Sequence, residues 1–155
     1  MRRLLGFGGV VLAILLVAAI GASAGSPRVH SPIRFRVVEH ENSDKNVDTD
    51  GSGGNSDSTG DLLTFHNKIY NASNTHVIGR DLGVCTLIVP GSSYFCSWNT
   101  FLPEGQLAVQ GLFSFTRATT LAITGGTGTY ANARGTMLLH GRSDGAFDFV
   151  FTVLP

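Results

Sequence analysis

Charge is scarce in this chain. Eleven Lys and Arg and eleven Asp and Glu are only 14% of 155 residues, and they cancel to a formal net charge of zero. The basic residues are nowhere clustered, so the sequence carries no electrostatic footprint for nucleic acid. Cysteine is limited to Cys85 and Cys96, and the five histidines lie scattered without ligand spacing, which leaves no metal-site motif. His66 and His76 are read as pocket or surface residues, with the surface the default. No motif calls for a cofactor. Gly125-Gly126-Thr127-Gly128 is only superficially a phosphate cradle, because such a loop needs a following helix to present its N–H groups. Here Tyr130 to His140 reads as a strand, so the glycines are read as a tight turn.

A long apolar run occurs once, at the start. Arg2 and Arg3 precede Leu4 to Ile20, and Ala22-Ser23-Ala24 follows as a small-x-small pattern. That is the anatomy of a secretory signal peptide over residues 1–24, with cleavage after Ala24. The competing reading is a membrane anchor, but 17 residues are at the short limit for a span. The cleavage pattern favours removal, so a secreted or periplasmic, cell-envelope protein without a stable membrane anchor is expected. The remaining chain keeps nine basic and eleven acidic residues, a formal charge of −2. About 130 residues make one domain with a modest core. A small hydrophobic ligand, or else another protein, is the partner this composition fits.

The exported part shows no dependable helical period and breaks into short β-type segments instead. Strands are predicted near 33–40, 61–70, 76–89, 94–102, 106–115, 118–124, 130–140 and 146–153, separated by Asn-, Pro- and Gly-rich turns. Residues 25–60 form a lead-in with the first strand and an Asp/Gly/Ser-rich loop, and 61–155 complete the domain. Eight short strands at this spacing mean an all-β sandwich or a barrel. A hairpin centred between Pro90 and Gly91 places Cys85 opposite Cys96, and an oxidising compartment favours a disulfide there. In the loop, Asp48, Asp50, Ser52, Gly53 and Ser56 fall at calcium-loop positions, but Thr59 replaces the final Glu and no helix flanks it. A solvated loop is the plainer reading.

Two polar residues stand out by parity. Glu39 is in step with Ile33, Phe35 and Val37, and Asn67 is in step with Leu63, Phe65 and Ile69. Strand side chains alternate faces, so both are expected to point toward the apolar interior. The alternative for Glu39 is a rim position in water at the end of its strand.

Several ordered motifs add a resemblance. Gly60-Asp61-Leu62, Phe65 to Tyr70, Gly79 through Cys85, Leu107 to Gly111 and Leu121 to Gly128 are similar to the allene oxide cyclase family. More distantly, the last block with Ala133-Arg134-Gly135 resembles the plant dirigent proteins. The resemblance implies a single eight-stranded antiparallel closed β-barrel, associating as dimers or trimers. It implies that Glu39 assists epoxide opening, that Asn67, with an ordered water, holds the epoxide oxygen, and that Cys85 lines the cavity; Phe65, on the alternating apolar face of its strand, is read as a ligand-binding residue of the same wall. Glu41 stands where the cyclases have a second water-binding asparagine, and Cys96 stands at an alanine position, which favours the Cys85–Cys96 bridge. The expected activity, if the barrel is an enzyme, is cyclisation or isomerisation of a small apolar, lipid-epoxide-like molecule. A dirigent-like or carrier barrel without catalytic groups, and a barrel packed solid, are the alternatives.

Overall fold

The computed structural model describes residues 31–52, 57–114 and 116–154. The predicted signal peptide lies outside them, as do Gly53 and Ser56 of the calcium-like loop. Nine strands are present among the described residues: β1 (Ile33–His40), β2 (Lys45–Val47), β3 (Leu62–Tyr70), β4 (Val77–Val89), β5 (Ser93–Leu102), β6 (Gly105–Phe113), β7 (Thr119–Gly126), β8 (Arg134–Gly141) and β9 (Phe147–Leu154). They run antiparallel in the order β1-β9-β8-β7-β6-β5-β4-β3, and β1 pairs with β3 to close the ring. Closure removes the exposed edges that a sheet of this size would otherwise present.

β2 is the strand the sequence did not announce. It pairs with the first half of β3, Lys45 against Thr64 and Val47 against Leu62, while β1 pairs with the second half of β3. β1 and β2 are thus two halves of one strand. Between His40↔Lys68 and Lys45↔Thr64, residues 41–44 stand opposite residues 65–67, one residue too many for a regular ladder. The polar composition here hides the strand, because the bulge exchanges backbone pairing for side-chain pairing. The Ser43 hydroxyl accepts from the His66 N–H at 3.0 Å and donates to the His66 carbonyl, and the Asn42 side chain accepts from the Lys68 N–H.

The glycine-rich segment also departs from expectation. Gly125 and Gly126 belong to the end of β7, a 3-10 turn spans Gly128–Tyr130, and β8 begins only at Arg134. A side chain at Gly126 would collide with the backbone oxygens of Tyr130 and Gln106, and Gly128 and Asn132 have φ of 60° and 62°. The connection is therefore a wide, folded corner, not a tight turn. No helix among the described residues is long and apolar enough to cross a membrane.

Alternation fills the barrel. One end is solid: Val37, Leu107, Val109, Leu121, Ile123, Met137, Phe151 and Val153 are all buried. Phe35 stacks on Phe151 at 5.1 Å and on Tyr130 at 6.0 Å. Toward the other end, where β1 finishes and β9 begins, the filling gives way to a cavity. Cys85 and Cys96 face each other across β4 and β5 and are joined in a disulfide at the wall of that cavity. Their sequence separation is 11, and closing a loop of that size in the unfolded chain stabilises by about 3 kcal/mol on the chain-entropy account. Replacing both cysteines with alanine is expected to lower the unfolding free energy by about 2–4 kcal/mol, read from urea denaturation. An unchanged midpoint would show the bridge to be energetically idle.

Candidate ligand cavity

The cavity has about 50 Å³ open to the centres of water molecules. Five aromatic rings, Phe65, Trp98, Phe113, Phe147 and Phe149, stand in its wall beside Leu63, Leu139 and the disulfide. Phe65 and Trp98 meet edge to face at 6.0 Å, Trp98 lies 5.7 Å from Phe149, and Phe113 meets Phe147 at 6.0 Å. Gly83, between Asp81 and Cys85 on β4, is what admits two of these rings. A Cβ there would fall 2.3 Å from the Trp98 Cβ and 2.7 Å from the edge of Phe65.

The polar end is organised by Asn67 on β3. Its carbonyl oxygen accepts from the backbone N–H groups of Asn42 and Ser43 at 2.9 and 3.1 Å, filling the gap that the bulge leaves in the ladder. That fixes the amide orientation, so its NH2 must donate on the other side. It does so to Glu39 Oε1 at 2.5 Å and to Asp44 Oδ1 at 2.7 Å. The Asn67 backbone N–H donates to Asp81 Oδ1 at 3.1 Å. One residue thereby ties together three carboxyl groups from three segments of chain.

Glu39 is 4% exposed, which answers the rim alternative: it lies inside. Burial, followed by the nearby charge of Asp81, pushes its pKa up to about 9 against the pull of the Asn67 hydrogen bond. Asp81 is fully buried and is raised to about 7, chiefly by desolvation, with Asp44 adding to the rise. Glu41 is raised by partial burial and by Asp44. At neutral pH Glu39 is therefore a neutral acid in an apolar cavity, able to donate a proton or a hydrogen bond.

Glu39, Glu41, Phe65, Asn67 and Cys85, the five residues singled out from sequence, all line this one cavity. Glu41 does so from the mouth, as an exposed residue. Cys85 does so as half of a disulfide, not as a thiol. His66 and His76 are exposed and lie away from it. Sequence reasoning missed Asp81, Trp98 and Asp44. Asp81 was within reach of the same parity argument, being in step with Cys85 and Leu87; Asp44 was not, because the bulge resets its direction.

The calcium-like loop has a different explanation. Asp48, Asp50 and Asp61 bring carboxylate oxygens within 4.8 Å of one another. Their oxygens already serve local turns: Asp48 accepts from the N–H groups of Asp50 and Gly51, and Asp61 accepts from those of Thr49 and Ser58. Such side-chain pairing builds the local turns of the described part of the loop.

The chain is thus a closed antiparallel barrel, solid at one end and hollow at the other, with a buried acid–amide pair on the wall of its cavity. The allene oxide cyclase family model matches residues 31–143, and the chain belongs to that family. Among solved structures it is similar to a pyocyanin demethylase, at 23% identity over 77% of this chain and 100% of that one, with a TM-score of 0.62. It is also similar to the pterocarpan synthase dirigent protein PsPTS1, at 13% identity over 82% and 97% of the two chains, with a TM-score of 0.65. A third is AbnU, an exo-specific intermolecular Diels-Alderase, at 13% identity over 80% and 98%, with a TM-score of 0.58. These likenesses establish the shared fold.

Two substitutions test the polar cluster. The unfolded chain releases the Glu39 proton near its ordinary value of 4.5, whereas the folded chain holds it to about 9. The folded state binds the extra proton between those values, so stability is greatest below pH 4.5 and declines as pH rises toward 9. Glu39→Gln is expected to melt with the parent at pH 4 and to exceed it by roughly 1–3 kcal/mol at pH 8. Parallel melting at both pH values would mean that Glu39 is ionised in the folded protein. Asn67→Asp keeps the acceptor for Asn42 and Ser43 but removes both donors and adds a charge. A loss of about 2–4 kcal/mol at pH 8, smaller at pH 5, is expected from thermal unfolding.

Proposed function

We propose that this protein is an exported barrel that binds one small, largely hydrophobic molecule and steers its cyclisation or isomerisation. Residues 1–24 serve as the signal peptide, and the disulfide is consistent with an oxidising destination. The single observation that carries the reading is the buried Glu39–Asn67 pair on the wall of an aromatic cavity.

Glu39 is the electrostatic or acid–base group. As a neutral acid it donates to an oxygen of the ligand; as a carboxylate it balances positive charge that develops on an unsaturated skeleton. Asn67 acts on Glu39 as a positioning residue, since both of its N–H donors are already committed to carboxyl oxygens. Any hold on a ligand oxygen would require one of those bonds to be exchanged. The rings supply the remaining service, which is to restrict a flexible molecule to one reactive conformation. The solved barrels to which the chain is similar are named as a demethylase, a dirigent protein and a Diels-Alderase, and that range suits a cavity whose main contribution is orientation.

Native mass spectrometry of the protein isolated from its source tests occupancy, with one small hydrophobic molecule per chain as the expected result. Incubating that molecule with wild type and with Glu39→Gln then separates steering from carriage. A single stereoisomer is expected from wild type, with a rate about 10²–10⁴ lower in the variant. Repeated isolation of a bare chain would favour a packed, non-binding barrel, and conversion only with an added oxidase would favour a dirigent-like carrier.

A further inference from the structure

Two polar atoms in the hollow half of the barrel have no hydrogen-bond partner within the protein. Trp98 Nε1 and Asp81 Oδ2 belong to residues that are 4% and 0% exposed and line the cavity. Native interiors rarely leave such groups unsatisfied. The ladder brings the two side chains together. Gly83 pairs with Trp98 across β4 and β5, and Asp81, two residues before Gly83, is the diagonal neighbour of Trp98 on the same inward face. Thr100, opposite Asp81, also has a buried hydroxyl without a partner, but it does not line the space. A hydroxyl can rotate toward whatever lies nearby, whereas an indole N–H has one fixed direction and can only donate. Trp98 therefore sets the requirement: an acceptor must reach it from the cavity that it lines.

Asp81 adds a second donor. Its Oδ1 accepts from the Asn67 backbone N–H, so the proton of the neutral acid resides on the unpartnered Oδ2. Burial, with the charge of Asp44 added, holds that proton to about pH 7, and the neighbouring Glu39 holds its own to about 9. Glu39, Glu41 and Asp44 are the other titratable groups of the lining; β3, β5, β6, β8 and β9 contribute none. Among the described residues no Lys, Arg or His lines the space, so an anionic head group would meet acids and no base. A neutral acceptor remains. A carbonyl oxygen, with two lone pairs and no hydrogen to place, suits a pair of donors. Volume sets the rest. About 50 Å³ open to water centres holds roughly four waters, and so about four heavy atoms. The end of a methyl ketone, its carbonyl carbon and oxygen with one carbon on either side, is of that size.

Resting on the ligand-binding function proposed above, we propose that Trp98 Nε1 and Asp81 Oδ2 form an oxygen subsite that receives the ketone end of the ligand, carbonyl first, while its hydrophobic remainder extends through the mouth. Trp98 and Asp81 then select the ligand and set its depth, and Glu39 keeps its electrostatic role. The sign of the pH dependence follows. A neutral ketone needs the protonated form of Asp81, so its affinity is full below about pH 6 and falls as Asp81 ionises through about 7. An alcohol accepts from Trp98 and donates to the carboxylate, so its affinity holds over the same range.

Trp98 is the sole tryptophan of the chain, so its indole N–H gives one resonance in a proton–nitrogen correlation spectrum. The purified protein is titrated at pH 6 and pH 8.5 with 2-heptanone, 2-heptanol and 2-methyl-1-heptene, in which a methylene group replaces the ketone oxygen. At pH 6 the ketone is expected to bind at least about tenfold more tightly than the alkene and to move the indole proton downfield. Its affinity is expected to fall about tenfold by pH 8.5, while that of the alcohol changes by less than about threefold. Asp81→Asn keeps the acceptor for the Asn67 N–H and places an N–H at the Oδ2 position, so it is expected to bind the ketone equally at both pH values. Trp98→Phe is expected to lose most of the preference for ketone over alkene at pH 6. Equal affinities for ketone and alkene, or an indole proton that the ketone leaves in place, would mean that water alone satisfies the two groups, which overturns the subsite and leaves the cavity standing. A ketone affinity that ignores pH would overturn the two-donor assignment from wild type alone, whether or not the variants fold. No binding by any of the three probes would overturn the subsite and the ligand-binding reading together.

Discussion

The side-chain amide of Asn67 is the interaction on which the hollow end of this barrel depends. A strand that breaks in mid-ladder leaves two backbone N–H groups without partners, and the Asn67 oxygen receives both. Because one face of the amide is committed to the backbone, the other must donate, and it donates to carboxyl groups. Glutamine would place its amide one methylene too far, and aspartate would offer no donors. The same amide group therefore repairs the sheet and gathers the acids. Structure and site are coupled there in a way that few other residues in the chain share.

The acids in turn explain the character of the cavity. Carboxyl groups brought together in an apolar space cannot all ionise, and Glu39 retains its proton well above neutral pH. Such a group is costly for folding as pH rises.

Much of this was legible in the residues, for identifiable reasons. Period-two alternation in Phe147, Phe149, Phe151 and Val153 and in Leu63, Phe65 and Ile69 is enforced by closure, since each inward position must fill the barrel. Glu39 and Asn67 were visible because they interrupt that pattern with polar groups in phase. The Cys85–Cys96 pairing was visible because the hairpin turn sets the register locally; a bulge beyond Leu87 is absorbed within the turn and leaves that register intact. What was hidden required non-local information. β2 has no apolar signature, because its pairing is anchored by Asn67 from across the sheet and by Ser43 within the bulge itself. Asp44 reaches the cavity only after the bulge turns it, and the corner at Gly125–Tyr130 reads as a turn until backbone collisions from neighbouring strands are considered.

The solid end of the barrel carries a consequence for the family's versatility. Phe35, Phe151, Met137 and their neighbours form a foundation that shares few residues with the cavity above it, and closure of the ring does not depend on what lines the mouth. Substitutions in the hollow half can thus alter chemistry while the packed half preserves the scaffold. A barrel divided in this way tolerates change where novelty is useful and resists it where architecture is made, so sequences that have drifted far apart can retain one shape while their cavities come to serve different molecules.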